Sequence, residues 1–156
     1  MQLVLLIGLP GSGKSTFYRE HFAATHLRVS KDAMRGKRNR DRKQRALMEE
    51  AELVCKSVVL DNTHPSVQAR APWIAWARER GWSVHGYYFS SRVVDCYSRN
   101  AARPPDERVP DVGFYAIVGA LKLPSYSEHF DRLFYVRQVD GKFAVEEWRD
   151  DEEQPL

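Results

Sequence analysis

The N-terminal stretch GLPGSGKS contains the residue types and the spacing that phosphate chemistry requires. Residues 8–15 fit the pattern GxxxxGK[ST], in which glycines let backbone N–H groups converge on phosphate oxygens. The candidate donor-binding residues are Gly8, Gly11, Ser12, Gly13, Lys14, Ser15 and Thr16. We therefore predict a nucleoside triphosphate here, with Lys14 on its β- and γ-phosphates and Ser15 as a Mg²⁺ ligand.

The elements around this motif predict an α/β fold. Residues 3–7 are all apolar, which is typical of a strand buried on both faces of a parallel sheet, and a helix follows the glycines. Similar strands then alternate with helical patterns, as in βαβ units. We predict one P-loop NTPase-type domain over residues 1–156, with helices on both faces of a mostly parallel, five-stranded sheet. A short helical lid is expected near residues 92–112, and Asp140-Gly141 indicates a hairpin turn.

The composition is that of a globular domain without a membrane-spanning segment. The chain is 43% hydrophobic and 29% charged, as ordinary globular domains are, and no apolar run is long enough to span a bilayer. Cys55 and Cys96 have no metal-binding spacing, so both are interpreted as reduced thiols. These features predict a cytoplasmic protein with no membrane partner.

Charge is distributed unevenly along the chain. Residues 28–45 contain nine Lys or Arg against two Asp, whereas the tail, residues 146–156, is acidic. The basic segment could attract a polyanion, or it could be a solvated helix face. The charge pattern alone favours neither interpretation.

Two carboxylates follow predicted strands and are candidates for chemistry. Asp32 comes just after strand two, where it could take a proton from an acceptor hydroxyl or could cap the next helix. Asp61 ends strand three and could hold a Mg²⁺ water, contact the acceptor, or only form a turn with Asn62. Because Asn62 stands where many ATPases have the glutamate that activates water, the pattern favours a kinase over an NTPase.

Several motifs together resemble the kinase domain of the polynucleotide 5′-hydroxyl kinase family, which heals nucleic-acid ends. The similarity runs from about residue 3 to residue 136, most of the chain. Its markers are GLPGSGKSTF, VSKDAMR, VVLDNTHPSVQAR, RNAAR and YSEHFDRLFYV. The first marker is common to many folds, whereas the DNT-x-P element combined with the post-strand-two Asp and the RNxxR lid is more specific.

The resemblance implies a role for each matching residue. Asp32 would be the general base, and Arg35 would position the acceptor and the phosphate. Asp61 and Thr63 would line the acceptor channel, with Arg70 on a substrate phosphate. Arg99 and Arg103 would be the lid arginines that face the donor phosphates, with Arg103 also catalytic.

We therefore predict an ATP- and Mg²⁺-dependent kinase that phosphorylates the 5′-hydroxyl end of DNA or RNA. Two alternatives remain open: a P-loop kinase of a nucleoside, sugar or antibiotic, and a nucleotide-binding regulatory ATPase. No DxDGT motif occurs, so no 3′-phosphatase activity is expected. The sequence does not indicate an oligomeric state.

Overall fold

A six-stranded sheet forms the centre of the structure, a computed structural model that describes residues 1–34 and 36–150. Its strands are β1 Gln2–Ile7, β2 Leu27–Val29, β3 Val58–Asp61, β4 Ser83–Phe89, β5 Arg132–Val139 and β6 Lys142–Glu147. They lie in the order β2-β3-β1-β4-β5-β6. All neighbours are parallel except β5 and β6, which are antiparallel.

Five α-helices connect and cover these strands over the described part of the chain. They are α1 Lys14–His21, α2 Arg40–Leu53, α3 Val67–Glu79, α4 Val93–Ala101 and α5 Asp111–Ala120. Two single 3₁₀ turns, Lys31–Ala33 and Tyr126–Glu128, complete the regular structure. The predicted α/β fold with a mostly parallel sheet is confirmed.

The predicted number of five strands is too low by one. Asp140 and Gly141 both have positive φ, 50° and 74°, as a tight hairpin turn requires. This predicted turn brings β6 back beside β5, with Val139 opposite Lys142. The sixth strand is therefore the second arm of that hairpin, which joins the sheet rather than standing apart from it.

β1 is buried on both faces, as its unbroken apolar sequence predicts. Leu3, Leu5 and Ile7 pack into the core shared with α2 and α3, whereas Val4 and Leu6 pack into a second core beneath α1. All five are fully buried. Because successive side chains of a strand point to opposite faces, β1 anchors both layers and holds the loop that follows it in place.

The predicted lid region has a small core of its own. Leu9, which lies in the glycine-rich loop, packs with Cys96 of α4 and Phe114 of α5, and all three are fully buried. Residues 102–110 connect the two helices without regular structure. The lid helices are therefore packed directly on the glycine-rich loop.

No described helix combines the length and the apolar character that crossing a membrane would require.

Candidate active site

The glycine-rich loop connects β1 to α1 and is enclosed by two other parts of the chain. Gly11 and Gly13 have φ of 82° and 99°, which L-residues with a side chain rarely adopt. A Cβ at Gly11 would come within 2.4 Å of the Cys96 carbonyl oxygen in α4. One at Gly13 would come within 2.5 Å of Nε2 of Gln138 in β5. Backbone conformation thus favours glycine at both positions, and at Gly11 the close approach of the α4 backbone also leaves no room for a side chain.

Lys14 is the first residue of α1 and folds back into this loop. Its Nζ donates hydrogen bonds to the carbonyl oxygens of Gly8 at 3.0 Å and Leu9 at 2.7 Å, and to Oγ of Ser12 at 3.2 Å. Burial lowers the pKa of the Lys14 ammonium to about 8, although the negative charge of Asp61 partly opposes this effect. A partly desolvated cation at a helix N-terminus is well suited to bind phosphate.

A hydroxyl and a carboxylate meet beside the loop. Oγ of Ser15 donates a hydrogen bond of 2.8 Å to Oδ2 of Asp61, whose side chain is only 2% exposed. Mg²⁺ in kinase sites takes one or two protein oxygens and completes its shell with water and phosphate oxygens. The Ser15 and Asp61 oxygens therefore fit Mg²⁺, as predicted for Ser15 and left open for Asp61.

Arg28 of β2 contacts both members of this pair. Its Nε donates to Oδ2 of Asp61 at 2.7 Å, and its Nη2 donates to Oγ of Ser15 at 3.2 Å. The Arg28 side chain remains 37% exposed. A protein cation thus shares the carboxylate oxygen that a metal ion would use.

Asp32 lies in the 3₁₀ turn after β2 and is exposed. It lines a cavity of about 290 Å³ together with Lys14, Ser15, Asp61 and Thr63. The alternative role as a helix cap is not observed, because Ser30 precedes the 3₁₀ turn and Asn39 precedes α2. The structure therefore brings this carboxylate to the same cavity as the phosphate-binding lysine.

Asn62 ties the Asp32 turn to two other elements. Its Oδ1 accepts a hydrogen bond of 2.9 Å from the backbone N–H of Lys31. Its Nδ2 donates to Oε1 of the buried Gln44 in α2, also at 2.9 Å. Since Asn62 directly follows β3, these bonds fix the position of the turn relative to the strand that ends in Asp61.

The two predicted lid arginines lie on different sides of the loop. Nη1 of Arg99 donates to the Gly11 carbonyl oxygen at 3.2 Å, and Arg99 lines a second cavity of about 450 Å³ with Ser12, Arg137 and Phe143. Arg103 instead lines the cavity that contains Asp32. The loop therefore has a cavity on each side, and each cavity contains one lid arginine.

Thr16 and Arg35 complete the predicted donor and acceptor sets. Thr16 lines an outer cavity of about 690 Å³ together with Asp32 and Arg103, and its Oγ1 accepts a hydrogen bond from Arg19. Arg35 lies outside the described residues, so its predicted role stays a prediction.

The geometry does not support the predicted contact between Arg70 and a substrate phosphate. The Arg70 side chain is fully buried and forms two hydrogen bonds, of 2.7 and 2.9 Å, with the carboxylate of Glu128. It also donates to the carbonyl oxygens of His64 and Lys122. We correct this assignment: Arg70 joins α3 to the loop after β3, and the charge of Glu128 already neutralises it.

Sequence reasoning missed the roles of Arg28 and Asn62. In the sequence analysis Arg28 is only one of the nine cations of the basic segment. However, an arginine between Leu27 and Val29 of a short strand was a signal that its charge had a partner. For Asn62 the sequence analysis predicted a possible turn with Asp61 and noted the absence of a glutamate, but no role in positioning the Asp32 turn. The position of Asn62 directly after an apolar strand was the available signal, because strand ends meet at one edge of a parallel sheet.

Comparisons with known proteins agree with this architecture. The family model described as AAA domain matches residues 3–117. The bifunctional polynucleotide phosphatase/kinase of Schizosaccharomyces pombe is 28% identical over 137 residues, which cover 85% of this chain but 32% of that protein. The chain thus spans about a third of this relative's length, and the predicted resemblance to polynucleotide kinases is confirmed.

Two solved structures share the fold at low identity. Chaetomium thermophilum Kti12 in complex with ADP-AlF3 superposes with a TM-score of 0.68 at 18% identity, covering 88% of this chain and 90% of that one. A fungal RNA kinase gives 0.66 at 12% identity, covering 86% and 38% respectively. At these identities the likeness shows the fold alone.

Proposed function

The chain belongs to the AAA domain family, and from that premise we propose that it is an ATP-dependent kinase of polynucleotide 5′-hydroxyl ends. One observation carries the proposal: Lys14 and Ser15 of the glycine-rich loop share a cavity with Asp32. Phosphoryl transfer to an alcohol needs a cradle for the donor phosphates and a base for the acceptor proton. This cavity offers both.

The donor would lie across the loop. Its phosphates would be bound by the loop N–H groups and Lys14, and its nucleoside would enter the cavity beside Arg99 and Phe143. Ser15 and Asp61 would hold Mg²⁺, which when bound neutralises charge on the phosphate oxygens. Arg103, on the acceptor side of the loop, would stabilise the negative charge of the transferring group.

The acceptor would enter the cavity of about 290 Å³ with its 5′-hydroxyl towards Asp32. Asp32 accepts the hydroxyl proton as the 5′-oxygen forms a bond to the γ-phosphorus. The bond from that phosphorus to the bridging oxygen breaks, and ADP leaves. Thr63 lines the same cavity and would contact the acceptor, and Arg35 is assigned to acceptor positioning by the family resemblance alone.

Two further observations favour a polynucleotide as the acceptor. The Schizosaccharomyces pombe relative is named as a polynucleotide phosphatase/kinase, and its similarity covers 85% of this chain. In addition, the basic segment leads from the Asp32 turn into α2, and Arg40 of α2 lines the acceptor cavity. Cations in this position would attract a phosphodiester backbone without reading its sequence.

A kinase of a small molecule is the second candidate. The acceptor cavity, at about 290 Å³, is near the lower limit of ordinary small-molecule sites, so a nucleoside or sugar could occupy it without a polymer attached. Because this rival shares the donor site, only the identity of the acceptor separates the two.

One assay tests the proposal against both alternatives. The protein is incubated with ATP labelled at the γ-phosphate and with a 5′-hydroxyl oligonucleotide, nucleosides, sugars or buffer alone. We expect label on the oligonucleotide, and an oligonucleotide that already carries a 5′-phosphate is the matched control that should remain unlabelled. Label only on small molecules would favour the second candidate, and label only in free phosphate would favour a regulatory ATPase.

A further inference from the structure

A groove of about 410 Å³ adjoins the acceptor cavity on the side of α3. We call it the distal groove; its walls include Lys31, Arg45, Asn62, Pro65, Gln68 and Trp73. We propose that it binds the second nucleotide of the acceptor, the one joined to the 3′-oxygen of the nucleotide being phosphorylated. This inference rests on the proposed function and specifies its substrate: a chain of at least two nucleotides.

The distal groove and the acceptor cavity share part of their walls. Lys31, Asn62 and Thr63 line both spaces, whereas Lys14 and Asp32 line the acceptor cavity and not the distal groove. A molecule whose 5′-hydroxyl lies at Asp32 can therefore extend past Asn62 into the distal groove. The hydrogen bonds of Asn62 to Lys31 and Gln44 hold this shared wall in place.

The charge of the distal groove suits a phosphodiester. Lys31 and Arg45 provide two cations, and the carboxylate of Asp41 in the same groove pairs with Lys31. Arg45 is exposed, and within residues 1–34 and 36–150 it has no ion-pair partner. Arg45 is therefore the cation available to a phosphate that links the first nucleotide to the second, and its planar guanidinium can bind two phosphate oxygens at once.

The remaining walls suit a sugar and a base. Pro65, Pro72 and Trp73 provide apolar surface, and the Gln68 side chain can donate and accept hydrogen bonds at a base edge. The guanidinium of Arg45 and the ammonium of Lys31 each lie 5.9 Å from the centre of the Trp73 ring. The Trp73 ring thus supports both cations, which limits their motion before a ligand arrives.

Acceptor length is the test. The value of kcat/KM is measured for a nucleoside with free 5′- and 3′-hydroxyls, for the matching dinucleotide, and for the trinucleotide. We expect the dinucleotide to exceed the nucleoside, which lacks the linking phosphate, by about tenfold or more, and the trinucleotide to add less than about threefold. The dinucleotide advantage should fall to about threefold or less in Arg45→Gln and should also decrease in Gln68→Ala. Arg78→Gln removes the same charge from α3 outside the groove and should keep the full advantage.

Failure of the distal groove as a nucleotide site and failure of the proposed kinase function would give different results. Transfer to all three acceptors with equal kcat/KM would overturn the distal groove as a nucleotide site and leave the kinase proposal intact. A dinucleotide advantage that survives both groove variants would also overturn it. Failure to label any acceptor would overturn the proposed function itself. ATP affinity, measured for every variant, verifies that each one is folded.

Discussion

Oγ of Ser15 donates a hydrogen bond of 2.8 Å to Oδ2 of Asp61 and thereby joins the first turn of α1 to the last residue of β3. The strand register explains this meeting, because Asp61 lies opposite Leu6, and Leu6 is two residues before the glycine-rich loop. The end of one parallel strand thus brings a carboxylate to the loop that follows the other. Arg28 completes the cluster by donating to the same carboxylate oxygen.

Removal of Arg28 should strengthen Mg²⁺ binding. In Arg28→Gln the Asp61 carboxylate no longer shares its oxygen with a guanidinium, so less repulsion opposes the metal ion. We expect the Mg²⁺ concentration for half-maximal transfer to fall about two- to tenfold, since a part-exposed pair is worth roughly 0.5–1.5 kcal/mol. Arg19 and Arg28 both line the outer cavity, but Arg19 bonds to Thr16 and not to Asp61. Arg19→Gln is therefore the matched control and should change the Mg²⁺ requirement little. An increased Mg²⁺ requirement in Arg28→Gln would show that Arg28 assists the metal instead.

The buried ammonium of Lys14 makes nucleotide binding depend on pH. Burial lowers its pKa to about 8, and a triphosphate binds the protonated form more tightly. The ATP dissociation constant should therefore stay nearly constant below this pKa and rise above it, by at most about tenfold per pH unit. Titration of ATP binding from pH 6.5 to 9.5 measures this. Lys14→Met should bind weakly with no such rise, and a flat curve for the unaltered protein would contradict the role given to Lys14.

The lowered pKa of Lys14 also makes stability depend on pH. ATP affinity should fall as the pH rises above this pKa, whereas the free energy of unfolding should rise. The pKa of Lys14 is depressed from 10.5 to about 8 in the folded protein, so the unfolded chain binds more protons between these values. The free energy of unfolding should therefore rise with pH across that window, relative to Lys14→Met. Urea titrations of the two proteins at pH 7.5 and pH 9.5 measure the difference, and a difference that does not grow with pH would be inconsistent with a buried ammonium.

Arg70 should matter for stability and not for substrate. Arg70→Met leaves the Glu128 carboxylate buried without its partner, so we expect the free energy of unfolding to fall by about 3–5 kcal/mol. Arg78→Gln, in the same helix but in an exposed pair with Asp131, should change it by less than about 0.5 kcal/mol. Urea unfolding measures both. If Arg70→Met instead kept its stability and raised the KM for an oligonucleotide, the sequence-based assignment to a substrate phosphate would be restored.

The basic segment should make oligonucleotide binding depend on salt. In Lys37→Gln/Arg38→Gln, the slope of log KM against log salt concentration should become shallower by about 1.4, because each lost contact with single-stranded phosphate changes it by roughly 0.7. The double variant Arg78→Gln/Arg132→Gln removes two cations elsewhere and should keep the original slope. An unchanged slope in the first variant would mean that Lys37 and Arg38 belong to a solvated face.

The sequence predicted those features that local pattern determines. The strand–glycine–helix order around residues 8–15 is read directly from adjacent residues, and so is the Asp140-Gly141 turn, since both depend on local backbone conformation. The unbroken apolar run over residues 3–7 likewise predicted a strand buried on both faces, and all five residues are fully buried.

Features that depend on distant pairing were not predictable in this way. The contact of Arg28 with Asp61 exists because β2 pairs with β3, a neighbour relation that no local pattern encodes. Arg99 and Arg103 were expected to act together on the donor phosphates, as the family resemblance implies. However, α4 ends at Ala101, so Arg103 falls beyond the helix and lies on the other side of the loop. The assignment of Arg70 to a substrate phosphate had the same cause, because its partner Glu128 is 58 residues away and no local pattern indicates the pair.

The central claim is that Asp32 frees an acceptor hydroxyl beside a bound triphosphate. Asp32→Asn keeps the size of the side chain but cannot take the proton, and Asp106→Asn makes the same change at another carboxylate of the outer cavity. Transfer of labelled γ-phosphate to a 5′-hydroxyl oligonucleotide, measured beside ATP affinity on the same samples, is the direct test. We predict that Asp32→Asn lowers kcat by about 100-fold or more with ATP affinity within about twofold, while Asp106→Asn remains active. Near-normal turnover in Asp32→Asn would contradict this account.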